Sequence, residues 1–136
     1  MAKLNAVGKK EIGKGFSNDL LYKELVYDVA AGDSLTFNDQ IVIGSMTTAA
    51  VIHNSYVFIE DAVTSGGSAT VKIGDTDASE SFLSATAVGS LTANAVLNET
   101  TGQGKYLAAG KEIIVVPLVA DLLAGKIRLK LVYSNS

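Results

Sequence analysis

Along Lys126–Tyr133 two kinds of side chain alternate. Ile127, Leu129, Leu131 and Tyr133 fall on one side, and Lys126, Arg128 and Lys130 on the other. A two-residue period predicts a strand with one face in a core and a basic face in water. Just before it, Glu112-Ile-Ile-Val-Val-Pro-Leu118 is β-branched and apolar on both faces, which predicts a more central strand. Pro117 has no N–H to give to a ladder, so it should mark the end of that strand or an edge. The intervening VADLLAG reads as a short connection, with Gly125 where a turn needs a permissive backbone.

The same grammar runs through the earlier chain. Leu25, Tyr27 and Val29 share a face, and AAGD follows as a turn. In residues 34–43, Leu35, Phe37, Ile41 and Ile43 share a face, with Asp39 as the exception. A long strand-like run covers residues 49–60, and TSGGS at 64–68 is a turn. Ala69, Val71 and Ile73 then alternate with Thr70 and Lys72. Residues 81–97 are less regular and read either as a long loop with a helical turn or as a small-residue strand; residues 98–105 read as a polar loop. Turn-separated strands at this spacing predict an all-β protein, an antiparallel β-sandwich or a jelly-roll-like domain.

The first residues depart from this pattern. Lys3, Lys9, Lys10 and Lys14 face one acid, Glu11, so residues 1–16 carry +3 and the remainder −6. Gly8, Gly13 and Gly15 loosen the segment. It is expected to form a flexible basic arm over residues 1–20, ahead of a single sandwich domain at 21–136; a solvated tail is the alternative.

Composition narrows the function. A chain of 136 residues, 48% hydrophobic and 18% charged, is long and apolar enough for one domain with a real core. A net charge of −3 gives no global basic field for nucleic acid. With no cysteine and one histidine, a disulfide framework is absent and a structural zinc site lacks its usual ligands. The N-terminal stretch has no apolar core of signal-peptide length, and no apolar run approaches the roughly 20 residues of a membrane span. The expectation is a soluble protein made in the cytoplasm, with no cofactor and neither membrane nor nucleic acid as partner.

Candidate chemistry is sparse. Gly74-Asp-Thr-Asp-Ala-Ser-Glu80 gathers Asp75, Asp77 and Glu80, and alternating carboxylates are what a calcium loop supplies. The EF-hand pattern fails, because Ser79 stands at the third ligand position and Glu80 where the glycine belongs. Three readings remain: a strand ending at Ile73, a Gly-Asp turn and an Asp or Ser cap on a helical turn at 79–84; a weak cation site on these acids; or paired acid/base catalysis, for which no cleft partner is visible. His53 lies in an apolar strand without a nucleophile signature and reads as a hydrogen-bonded or interface histidine. GKKEIGKG lacks the order of a phosphate loop. The stripe of Lys126, Arg128 and Lys130 has no interleaved aromatic residues, so it reads as a solvated or subunit-facing face that also guards a sheet edge. No residue set here specifies a reaction, and the chain is expected to be a binding or assembly protein rather than an enzyme.

The series ELVYDVAAGDSLTF, AAVIHNSYVFIEDAVTSGGSATVKIGDTDASESFLSA and GKEIIVVPLVADLLAGKIRLKLVYS, over residues 22–133, resembles small virion proteins of tailed bacteriophages, of the capsid decoration or cement type. The Lys-rich N-terminal segment has no counterpart in that resemblance. The resemblance implies a β-sandwich or jelly roll, often trimeric, that binds the outside of a capsid, bridges subunits of the major capsid protein and stabilises the shell. On that view Lys3, Lys9, Lys10 and Lys14 would lie along an acidic capsid surface, and Phe82 would pin the loop after the acidic turn to the core. Another virion component, such as a head fibre, tail or vertex subunit, would use the same architecture. A surface- or carbohydrate-binding module is the non-viral rival. It is disfavoured by the lack of tryptophan and by Tyr22, Tyr27, Tyr56, Tyr106 and Tyr133, which mostly occupy strand positions that look structural.

Overall fold

The structure is a computed structural model that describes residues 3–5, 9–12, 20–29, 39–98 and 103–135. Its strands are β1 (Lys3–Asn5), β2 (Lys9–Ile12), β3 (Leu21–Asp28), β4 (Gln40–Ser45), β5 (Ala50–Ser65), β6 (Thr70–Asp75), β7 (Leu83–Ala87), β8 (Val96–Leu97), β9 (Tyr106–Leu107), β10 (Glu112–Leu118) and β11 (Leu122–Asn135). One sheet has the order β1-β4-β10-β6-β7. The other runs β2-β3-β11-β5-β8, with β9 also pairing with β5. Pairing is antiparallel throughout except for β1, which lies parallel to β4. The molecule is therefore the all-β sandwich that the alternation predicts, built largely from antiparallel pairs.

The core lies between the sheets, and the period of two decides who enters it. Leu25 and Tyr27 from β3, Ile127, Leu129 and Leu131 from β11, and Val57 and Ile59 from β5 point inward from one sheet. Ile41 and Ile43 from β4, Ile113 and Val115 from β10, and Val71 and Ile73 from β6 meet them from the other. Burying each such side chain removes apolar surface from water and contributes roughly 1.5–3 kcal/mol. Phe82 is wholly buried in the same cluster, so the loop after β6 is pinned to the core as expected.

Several expectations are corrected. β11 begins at Leu122, so the connection after β10 is three residues long and not seven. β11 lies between β3 and β5 and guards no edge. Residues 81–97 hold both alternatives: β7, a 3-10 turn at Val88–Ser90, and β8. No helical turn caps the acidic segment; residues 79–80 form a simple turn. Of the strand expected over 34–43, the described part begins at Gln40, and Leu35 and Phe37 lie outside the described residues. The expected arm over residues 1–20 stands uncorrected: its described residues form β1 and β2, one edge strand of each sheet.

Two backbone positions are demanding. Gly125 has φ 138°, and a Cβ there would sit 2.8 Å from the Val63 Cα. Only glycine fits, and it stands among the register shifts where β11 bends along β5. Pro117 pairs with Val71 of β6 inside β10, but β4 pairs β10 only through Val115. One flank of Pro117 is thus beyond the ladder, the position a residue without an N–H requires.

Candidate binding surface

The three acids of the Gly74–Glu80 segment do three separate jobs. The Asp75 side chain has no exposed surface. Its Oδ1 accepts the backbone N–H groups of Asp77 at 2.9 Å and Ala78 at 3.0 Å, and its Oδ2 accepts the Ser81 hydroxyl at 3.2 Å. Lys105 Nζ lies 3.1 Å from Oδ2. A buried charge must be paired and hydrogen-bonded, and this one is. The turn closes over Gly74, where a Cβ would come within 2.2 Å of the Ala78 carbonyl oxygen. Asp77 points to solvent and pairs with Lys111, which holds its carboxyl below the usual aspartate range; the same contact raises Lys111. Glu80 Oε1 accepts the Ala85 N–H at 2.9 Å. The carboxylates do not converge, and among the described residues no group of three or more His, Asp or Glu side chains could hold a metal ion.

The basic stripe is tied down by acids on the strands beside it. Arg128 donates from Nη1 to Glu24 at 2.8 Å and from Nε to Glu60 at 2.7 Å, and also from Nη2 to Glu60; Lys126 Nζ lies 3.6 Å from Glu60. The Arg128 guanidinium holds the Glu60 carboxyl below its ordinary value, and the two carboxylates raise Arg128. Lys130 Nζ stands 5.2 Å from the centroid of the Tyr22 ring. Cross-strand neighbours thus neutralise most of what looked like a basic face.

The N-terminal lysines separate. Lys3 lies on β1 at the edge of one sheet, and Lys9 and Lys10 lie on β2 at the edge of the other; Lys14 lies outside the described residues.

A further group of polar side chains lies along β5, on the outer face of its sheet. A bulge at His53 starts the strip, since Val132 and Tyr133 pair with Asn54 and Ile52 and skip it. His53 is exposed, and its Nε2 lies 2.9 Å from the Ser134 hydroxyl oxygen. This is a hydrogen-bonded histidine, as expected; no orienting carboxylate joins it among the described residues, so the pair lacks the third group of a catalytic triad. Asn54 is the hub. Its Oδ1 accepts Asn98 Nδ2 at 3.1 Å, Gln103 Nε2 at 3.4 Å and the Ser55 N–H at 2.9 Å, and its Nδ2 donates to the Tyr56 hydroxyl at 2.8 Å. Asn98 Nδ2 also donates to the Ser55 carbonyl at 3.1 Å. Tyr56 is 38% exposed and Tyr106, paired beside Val51, is 56% exposed. Of the tyrosines expected to be mostly structural, Tyr27 is in the core and Tyr133 packs against it, whereas Tyr56 and Tyr106 are exposed on their strands. Sequence reasoning missed the hub because its members are 44 and 49 residues apart, in loops that pattern alone leaves unplaced.

No protein-family model matches the chain, and no curated protein matches it by sequence. Solved structures do match its fold. A chain in the capsid of Ralstonia phage GP4 superposes with a TM-score of 0.64 at 14% identity, covering 99% of this chain and 99% of that one. A chain in the Cyanophage Pam1 capsid asymmetric unit superposes with a TM-score of 0.59 at 13% identity, covering 96% of this chain and 89% of that one. At such identities the likeness is one of fold. Among the described residues no helix is long and apolar enough to cross a membrane.

Proposed function

We propose that this chain is a structural virion protein of a bacteriophage that binds the outside of the capsid as a decoration or cement protein. One observation carries the reading: the end-to-end likeness to a chain in the Ralstonia phage GP4 capsid, 99% of each chain, so that the neighbour is this sandwich and little more. A small sandwich that occurs as a whole chain in a capsid suits lattice binding, where copy number makes modest contacts cumulative. The absence of a converged acid–base or metal constellation among the described residues accords with a mechanical role.

The partner in this reading is the major capsid protein, and the protein binds as a homo-oligomer. The contacts are assigned to the N-terminal strand edges and to Lys3, Lys9, Lys10 and Lys14. β1 and β2 each end a sheet, and an edge strand offers unpaired backbone groups to a neighbour. Lysines at these edges favour an acidic partner surface, with attraction that weakens as salt rises.

The test begins with quantitative mass spectrometry of purified particles. A copy number comparable to that of the major capsid protein is expected; a handful of copies would reassign the chain to a fibre, tail or vertex, and its absence from particles would overturn the virion reading. Changing Lys3, Lys9, Lys10 and Lys14 together to Glu preserves the backbone pairing of β1 and β2 better than deletion of the segment. The variant should keep its melting temperature and lose capsid binding at least tenfold. Unchanged binding would remove these lysines from the interface.

A further inference from the structure

We propose that the outer strip of β5 is a binding site for a neutral oligosaccharide, with Tyr56 and Tyr106 as ring platforms and the amides of Asn54, Asn98 and Gln103 as its hydrogen-bonding floor. This goes beyond the capsid role and rests on separate residues. A sugar presents hydroxyl groups that both donate and accept, alternating with apolar C–H faces. It is held by planar polar groups of fixed orientation next to exposed aromatic faces, and the strip offers both.

The orientation is fixed by the hub. Asn54 Oδ1 draws the NH2 groups of Asn98 and Gln103 toward itself, and Asn98 gives its second N–H to the Ser55 carbonyl. The Asn98 and Gln103 amide oxygens are left as acceptors without a partner among the described residues. The Tyr56 hydroxyl accepts from Asn54, which leaves its own hydrogen to donate. The Tyr106 hydroxyl has no partner among the described residues, and its ring is more than half exposed. Groups locked in advance lose little freedom when a ligand arrives. An amide hub with outward acceptors and two exposed phenols is more than a solvated loop requires.

Length and charge define the ligand. Tyr106 stands beside Val51, and Tyr56 lies five residues further along β5 with one bulge between. At about 3.3 Å per residue the two backbone positions are some 13–16 Å apart along the strand. That span suits several linked sugar rings rather than one. The five side chains are amides and phenols, with no carboxylate or ammonium among them. Lys130, opposite Tyr56 in the ladder, keeps its ammonium over the Tyr22 ring, and Lys105 is paired with buried Asp75. The strip itself offers ring faces and neutral hydrogen-bonding groups rather than an ion-pairing partner, which suits an uncharged ligand.

The full chain would be screened against an array of neutral oligosaccharides from bacterial surfaces, and hits would be titrated by NMR. Saturable binding is expected, with the largest shifts at the Asn54, Asn98 and Gln103 side-chain amides. Tyr56→Ala and Tyr106→Ala should each weaken it at least tenfold, Tyr106→Ala without moving the melting temperature, since that residue is more than half exposed; Asn98→Asp, which puts a charged oxygen where the NH2 group donates to Asn54 and Ser55, should weaken it similarly. No binding by the unmodified protein would overturn the proposal, as would binding that survives both tyrosine changes. If the tyrosine variants instead lose capsid attachment while the unmodified protein binds no sugar, the strip is a protein contact. Retained sugar binding in a chain absent from virus particles would sink the capsid role and leave this site standing.

Discussion

β10 and β11 follow one another with three residues between them, and each runs through the middle of its sheet. Their outward faces are nevertheless opposites. β10 turns Ile113 and Val115 into the main core and Ile114 and Val116 to the other side, where they form a second buried apolar cluster with Val42. β11 turns Ile127, Leu129 and Leu131 inward and sets Lys126, Arg128 and Lys130 outward among Glu24, Glu60 and Tyr22. Alternation therefore reports whether a strand's outer face is covered or wet. It does not report whether the strand is central, since both are. A wet central strand needs its charges matched from the neighbouring strands, and β3 and β5 provide the acids.

The sharpest way to break the comparison is to give β10 the outward chemistry of β11. Ile114→Lys would bury an unpaired ammonium beside Val42 and Val116, at a cost above about 4 kcal/mol. Loss of the cooperative urea transition is expected; a stable Ile114→Lys protein would mean that this face is wet. The reciprocal change is far milder. Arg128→Met removes a half-exposed ion-pair hub and should cost about 1 kcal/mol or less at neutral pH.

That variant also has a pH signature. Glu60 is held below the ordinary glutamate value of 4.5, first by its hydrogen bond from Arg128. A carboxyl with a depressed folded-state value stabilises fully above its unfolded value, and the contribution is lost as pH falls through the folded one. Arg128→Met should therefore narrow its deficit as the solution is acidified, read as urea midpoints of the two proteins through the carboxylate range. A deficit independent of pH would show that Arg128 acts through packing alone.

The smallest effect concerns the link between the two strands. Val119 has φ 78°, a region that β-branched residues avoid, and its side chain is exposed. Val119→Asn should raise stability by roughly 1 kcal/mol, because asparagine tolerates the left-handed region. A lower melting temperature would mean that the valine side chain makes a contact worth more than the strain it carries.

Legibility followed the range of the physics. The alternation of Ala69, Val71 and Ile73 and the two-sided character of residues 113–116 were readable, because each depends on which neighbours in the chain are apolar; the anchoring of Phe82 came only with the family resemblance. The central place of β11 was not, since exposed charge is common at sheet edges and only the flanking β3 and β5 reveal the acids that satisfy it. The acidic segment was half readable. A turn was expected, but the value of Asp75 as its buried organiser depends on Lys105, 30 residues away. The strip on β5 was invisible for the same reason: Asn54 meets Asn98 and Gln103 only after β5 is laid beside the chain that carries them.

By itself the sequence determined the kind of structure: strands of a given polarity, separated by turns, with an interior rich enough in β-branched and aliphatic residues to close a sandwich. It also marked Gly125 as a position that needs a permissive backbone, though as part of a turn and not as a residue within β11. The tertiary structure decided strand order, which tyrosines meet water and which charges meet each other. The physical reason is that a period of two is a local property of the backbone, repeated wherever strands form. Order and register come from the single arrangement in which all the inward faces close on one another, and no short window of sequence contains that condition.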